Sequence, residues 1–126
     1  MVKNTDIVIN VSGITKKFGS LTALDEISLH VRKGHIHGFL GPNGAGKSTT
    51  IKLLMDFIRP TKGEVTIFGE NIRNNPSLHR RIGFLTGDME LYDNLSGHQY
   101  LSYIARLKGE KNYTHLSAMI DDLEPV

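Results

Sequence analysis

The sequence predicts an α/β fold, with an antiparallel strand region ahead of a strand–loop–helix unit and helices at the end. Three observations carry this. Apolar residues alternate at Ile7, Ile9 and Val11 and again at Ile27, Leu29 and Val31, the spacing of half-buried strands. A glycine-rich loop, GPNGAGKS, stands between an apolar run and an amphipathic one. From Ser96 onward the apolar period lengthens to that of a helix.

Each element follows in order. Val8 breaks the strict alternation of the first strand, the second is cleaner, and Lys33-Gly34 reads as the turn after it. HIHGFL, His35 to Leu40, is short and largely apolar and reads as a buried strand. Pro42 with Gly41, Gly44 and Gly46 prevents it from continuing. In KSTTIKLLMDFIRP, Ile51, Leu54, Met55 and Ile58 follow the i, i+3, i+4, i+7 pattern of an amphipathic helix that Pro60 ends. GEVTIFGE reads as a strand with Val65 and Ile67 on one face and turns at Gly63 and Gly69, and IGFL, Ile82 to Leu85, as another buried strand. Tyr100, Tyr103, Ile104 and Leu107 share a helical face that Gly109 would cap. Tyr113, Leu116, Met119, Ile120 and Leu123 make a last helix, with Pro125 as its stop.

Composition narrows the function classes. The length is that of one modest domain, and 39% apolar residues suffice for a core. Fifteen basic against thirteen acidic residues are too balanced to argue for nucleic acid. Cysteine is absent, so neither a disulfide framework nor a thiolate metal site is expected. The N-terminus has no continuous apolar segment of signal-peptide type, and no run of ~18 apolar residues would cross a membrane.

The loop from Gly41 to Ser48 fits G-x-x-x-x-G-K-[ST], and the spacing has a mechanism. Successive backbone N–H groups must curl around phosphate oxygens, and side chains would block that approach, so Gly41, Gly44 and Gly46 keep the loop bare. The following helix turns its free N–H groups and positive dipole end toward the anion. Lys47 supplies a full charge to β- and γ-phosphates, and Ser48 offers a hydroxyl to Mg²⁺. The loop alone does not separate transporters from GTPases, kinases or helicases.

The flanks carry a resemblance. ITKKFGSLTALDEISLHVRKGHIHGFLGPNGAGKSTTIKLLMDFIRPTKGEVTIFGENI, Ile14 to Ile72, resembles the N-terminal part of an ABC-type ATP-binding domain almost residue by residue, and the likeness continues more loosely to the chain's end. Pro42, Asn43, Gly44 and Ala45 are that family's own version of the loop. Carried over by position, Phe18 matches the aromatic residue that stacks on adenine, a role a flat apolar ring suits. Taken without the resemblance, Phe18 reads better as a core residue. Ala23 matches a small residue near the base or ribose, and Asn43 a side chain near the γ-phosphate. Thr49 and Thr50 match residues that reach the α- and β-phosphates.

Departures from the pattern matter equally. The family's glutamine after the strand resembling IGFL, which helps hold Mg²⁺ and the attacking water, is matched here by Gly87. Asp88 beside it is a candidate metal ligand, or else a solvated loop acid. LSGHQ, Leu95 to Gln99, is close to the family's signature LSGGQ, but it stands too early in the chain and His98 replaces a glycine. Ser96 and Gln99 instead make an S-x-x-Q capping box, with Leu95 and Tyr100 placed as a hydrophobic staple. IDDLEP near the end mimics the family's acidic strand, but Ser117 and Ala118 interrupt the apolar run, so a helix with Asp121, Asp122 and Glu124 at a solvated end is expected. His35 and His37 share a face if they lie on a strand, with no third metal ligand nearby in sequence, and structural histidines are the expectation.

The resemblance implies a P-loop NTPase fold, with 1–85 as nucleotide-binding core and 86–126 as the start of a helical subdomain. It implies ATP and Mg²⁺ as ligands and no catalytic residue within this stretch, because signature, acidic strand, catalytic glutamate and switch histidine are all missing. The expected partners are a transmembrane permease subunit and a second ATP-binding domain, at the cytoplasmic face of a membrane, with no nucleic acid bound directly. An export-type transporter is the first expectation. A family ATPase acting on ribosomes or DNA is the second, and an ordinary P-loop phosphotransferase the third.

Overall fold

The computed structural model describes residues 6–87, 90–111 and 114–123. It divides into two compact units, Met1–Ile82 and Gly83–Val126.

The first unit is built on one four-stranded antiparallel sheet of order β2-β1-β3-β4. β1 (Ile7–Phe18) and β2 (Leu21–Arg32) are twelve residues each, far longer than the alternating stretches that announce them. Phe18 faces Leu21 across the two-residue turn Gly19-Ser20, where Gly19 takes φ +59°. Register shifts between Val11 and Lys17, with Gly13 and Glu26 at positive φ, interrupt the alternation in the outer half of the hairpin. That interruption hides its strands from a period-two reading. β3 (Lys62–Ile67) pairs with the other edge of β1, Val11 opposite Val65 and Ile9 opposite Ile67. A turn at Phe68-Gly69, both at positive φ, leads into the short β4 (Glu70–Asn71).

Val65 and Ile67 face inward together, as their spacing predicts, and join Val11, Ile14, Leu24, Leu53, Ile72 and Leu78 in the core. Leu53 comes from α1 (Lys47–Leu54) and Leu78 from α2 (Pro76–His79). Asn75 caps α2, its side-chain oxygen accepting the Leu78 N–H at 3.1 Å, and Pro76 follows at the first helical position.

Helix α1 departs from the sequence expectation. It ends at Leu54, not at Pro60. Asp56 adopts φ +57°, its N–H reaching the Leu53 carbonyl while the Phe57 N–H reaches that of Lys52, and these paired bonds terminate the helix. The inward face is consequently Thr50 and Leu53, with Leu54 and Ile58 at the core's margin, while Ile51 is exposed.

Two expected strands are absent. His35–Leu40 and Ile82–Leu85 form no strand, and Ile36, Leu40 and Leu85 stand exposed. A short apolar run becomes a strand only with a hydrogen-bonding neighbour, and among the described residues β1 to β4 pair only with one another. His35 and His37 therefore do not share a strand face.

In the second unit, α3 spans Gly97–Leu107 and α4 Thr114–Leu123. The capping box is complete: Gln99 N–H donates to Ser96 Oγ at 3.2 Å and Ser96 N–H to Gln99 Oε1 at 2.8 Å. At the other end Gly109 takes φ +82°, with its N–H on the Arg106 carbonyl and the Glu110 N–H on that of Ala105. Tyr92 sits edge-on to Tyr103 at 6.3 Å and tilted to Tyr100 at 6.2 Å. IDDL is helical, with Asp121 and Asp122 exposed, so it is no acidic strand. Tyr113, Glu124 and Pro125 lie outside the described residues. No described helix is long and apolar enough to cross a membrane.

Candidate phosphate-loop site

The glycine-rich loop lies between the exposed Phe39-Leu40 and α1. The Ala45 N–H donates to the Pro42 carbonyl at 3.1 Å and turns the chain. Gly44 and Gly46 then take φ +86° and +93°, a region that L side chains rarely occupy. Gly46 is the N-cap residue of α1, and no side chain caps that end. The helix's first N–H groups are therefore left for a ligand, and no acidic residue in the first turn opposes an anion. The Gly46 carbonyl accepts both the Thr50 N–H at 2.9 Å and the Thr50 hydroxyl at 2.8 Å. The Lys47 ammonium donates to the Gly41 carbonyl, bending back over its own loop.

Against this loop stands the tip of the β1–β2 hairpin. Together they enclose a cleft of about 510 Å³. Phe18, Leu21, Thr22 and Ala23 line it from the hairpin, and Asn43, Gly44, Gly46, Lys47, Ser48 and Thr49 from the loop and helix. One end is apolar and aromatic, the other carries backbone donors, a cation and hydroxyls. Gly46 locks the two parts together, since a β-carbon there would lie 2.5 Å from Leu24 Cδ2.

Most residues singled out from the sequence thus converge. Phe18 is 48% exposed, which removes the core reading that its sequence alone favoured. Gly41, Pro42 and Ala45 shape the loop without lining the cleft. Thr50 does not line it either: it is 3% exposed, faces the core and spends its hydroxyl on Gly46. Gly87 lies in an exposed bend, and Asp88 lies outside the described residues. Leu21 and Thr22 were not foreseen. Gly19-Ser20 as a two-residue hairpin turn is the signal that places Leu21 opposite Phe18.

The cleft's chemistry fits a nucleotide. Bare backbone and Lys47 suit a polyphosphate, and a hydrophobic ring suits a base. Ser48 is the hydroxyl that a phosphate-bound Mg²⁺ could take, and Mg²⁺ needs few protein ligands when phosphate supplies others. Among the described residues no group of three or more His, Cys, Asp or Glu could hold a metal by itself.

Comparison with known proteins agrees with this chemistry. The family model for ABC transporters matches residues 24–123. The chain is 39% identical to the bacitracin transport ATP-binding protein of Enterococcus faecalis over 105 residues, 82% of this chain and 34% of that one. It is 36% identical to a probable multidrug ABC transporter ATP-binding protein of Escherichia coli, over 82% of this chain and 18% of the other. It is 39% identical to the doxorubicin resistance ATP-binding protein of Mycobacterium tuberculosis, over 86% and 34%. Among solved structures, the ATP-binding subunit of an ABC transporter superposes with TM-score 0.72 at 26% identity, over 81% of this chain and 43% of that one. The chain thus spans about a third of the length of the first curated relatives it matches. A phosphate loop in this frame, with a family match over most of the sequence, establishes that the chain belongs to the ABC transporter family, among its ATP-binding proteins.

Proposed function

We propose that this chain holds the nucleotide-binding part of the ATP-binding subunit of an export-type ABC transporter. The observation that carries this is the cleft, in which Phe18 and Ala23 at a hairpin tip face Lys47 and Ser48 at a helix start. A base on Phe18 and phosphates on the loop would occupy one continuous channel. Lys47 leaves the Gly41 carbonyl to neutralise the β- and γ-phosphates, the first N–H groups of α1 hold oxygens, and Ser48 contributes to Mg²⁺. Asn43 stands on the γ-phosphate side. The relatives named for bacitracin transport, multidrug transport and doxorubicin resistance support the export class.

In this reading residues from about 86 begin a helical subdomain; the helices α3 and α4 of the unit that begins at Gly83 support it. ATP draws two such domains together and drives a separate permease at the cytoplasmic face of the membrane. Photolabelling with 8-azido-ATP tests the reading. The label should fall on the hairpin peptide containing Phe18 to Ala23 and be competed away by ATP. Competed label on peptides remote from the cleft contradicts it.

A further inference from the structure

Resting on that nucleotide reading, we propose that Lys16 is a positioning residue for the base: it backs the Phe18 ring and holds it for stacking. Phe18 sits beside the turn of a two-stranded hairpin and is half exposed, so part of its ring is open to solvent. The Lys16 ammonium lies 4.9 Å from the ring centroid, within cation–π range. The same ammonium donates to the Arg59 carbonyl at 2.7 Å. Phe18 lines the nucleotide cleft, whereas Lys16 and Arg59 do not, and Arg59 lines a separate cavity instead. The cation therefore supports the ring from outside and leaves the cleft free for a purine.

The anchor of that ammonium is itself fixed. Arg59 belongs to the segment that follows α1, and this segment is stitched to the end of β1 by two further bonds. The Thr61 N–H donates to the Thr15 carbonyl at 2.8 Å, and the Lys17 N–H donates to Thr61 Oγ1 at 3.0 Å. The chain leaving the phosphate-loop helix thus returns to the strand that carries Phe18. Lys16 ties that return to the ring itself, so base platform and phosphate loop are held at one spacing. A cation behind the ring also draws electron density from its free face, which favours an electron-rich purine on it.

The test uses the 126-residue chain and two probes, ATP and inorganic tripolyphosphate, which has the phosphates without the base. Lys16→Met should weaken ATP about two- to fivefold, the scale of an exposed cation–π contact, and leave tripolyphosphate unchanged. Lys16→Arg should restore ATP affinity, and Lys17→Met, an equal loss of charge next door, should change neither ligand. In a Phe18→Leu background, Lys16→Met should have no further effect. Equal losses for both ligands would make Lys16 a general attractor of anions and overturn the proposal. So would an unchanged ATP affinity in Lys16→Met while Phe18→Leu weakens it, which leaves the nucleotide reading standing. A wild-type chain that binds neither probe overturns the nucleotide reading and this proposal with it.

Discussion

Gly46 and Leu24 are in contact so close that a β-carbon on Gly46 would fall 2.5 Å from Leu24 Cδ2 and 3.2 Å from the Ala23 carbonyl oxygen. The contact joins the start of α1 to β2, where Gly46 and Ala23 line the cleft. Gly46→Ala meets both that contact and φ +93°. Left-handed geometry costs roughly 1–2 kcal/mol for a residue with a β-carbon. Crowding a packed site adds about 1–3 kcal/mol. Thermal unfolding of the variant should therefore show a loss of at least ~2 kcal/mol, together with weaker nucleotide binding. Unchanged stability would mean that hairpin and helix are not locked here.

Phe18 offers a face and no hydrogen bond. Phe18→Tyr should therefore be nearly silent, while Phe18→Ala should lose roughly 1–3 kcal/mol of ATP binding, the scale of base–aromatic stacking. GTP should compete moderately well, since every purine has a π face. Complete rejection of GTP in a competition assay would show that other groups read the base.

Ser96 serves the helix, not the nucleotide. Ser96→Ala removes the side-chain half of the capping box and should cost about 1 kcal/mol in α3 stability, seen as lost helicity on warming. ATP affinity should not move. A large drop in ATP affinity with helicity intact would assign LSGHQ the role of a nucleotide-contacting signature.

Much of this was legible in the sequence. The phosphate loop and Val65/Ile67 carry local signals: glycines where φ turns positive and a clean alternation. So do the α3 caps, an S-x-x-Q start and a glycine stop. The failures were of other kinds. HIHGFL and IGFL have strand composition, but a strand also needs a neighbour, and composition does not report one. The end of α1 was missed because Asp56 takes a left-handed conformation that glycine or asparagine more often signals. The outer hairpin was missed because bulges near Gly13 and Glu26 break the period that identifies strands. Leu21 and Thr22 joined the site through that hairpin, so they were missed with it.

Binding and turnover should separate in residues 1–126. The loop, Lys47, Ser48 and the helix start are local parts and are present together. Hydrolysis also needs a water held in line with the γ-phosphate and a group to take its proton. Gly87 has no side chain to supply either. Phosphate release under saturating ATP·Mg²⁺ should stay at background. A turnover above about 1 per second that disappears in Lys47→Ala would overturn this separation.

If the cleft between Phe18 and Lys47 holds ATP through its phosphates, the Lys47 charge is essential to affinity. Calorimetric titration of ATP·Mg²⁺ into the 126-residue chain and its Lys47→Ala variant measures this, with unfolding curves confirming that both are folded. The loop loses its one charged side chain in the variant, and a charge-assisted contact is worth about 1.5–3 kcal/mol, so affinity should fall at least about tenfold. Binding by the variant within twofold of the wild type would show that the phosphates are not held by Lys47.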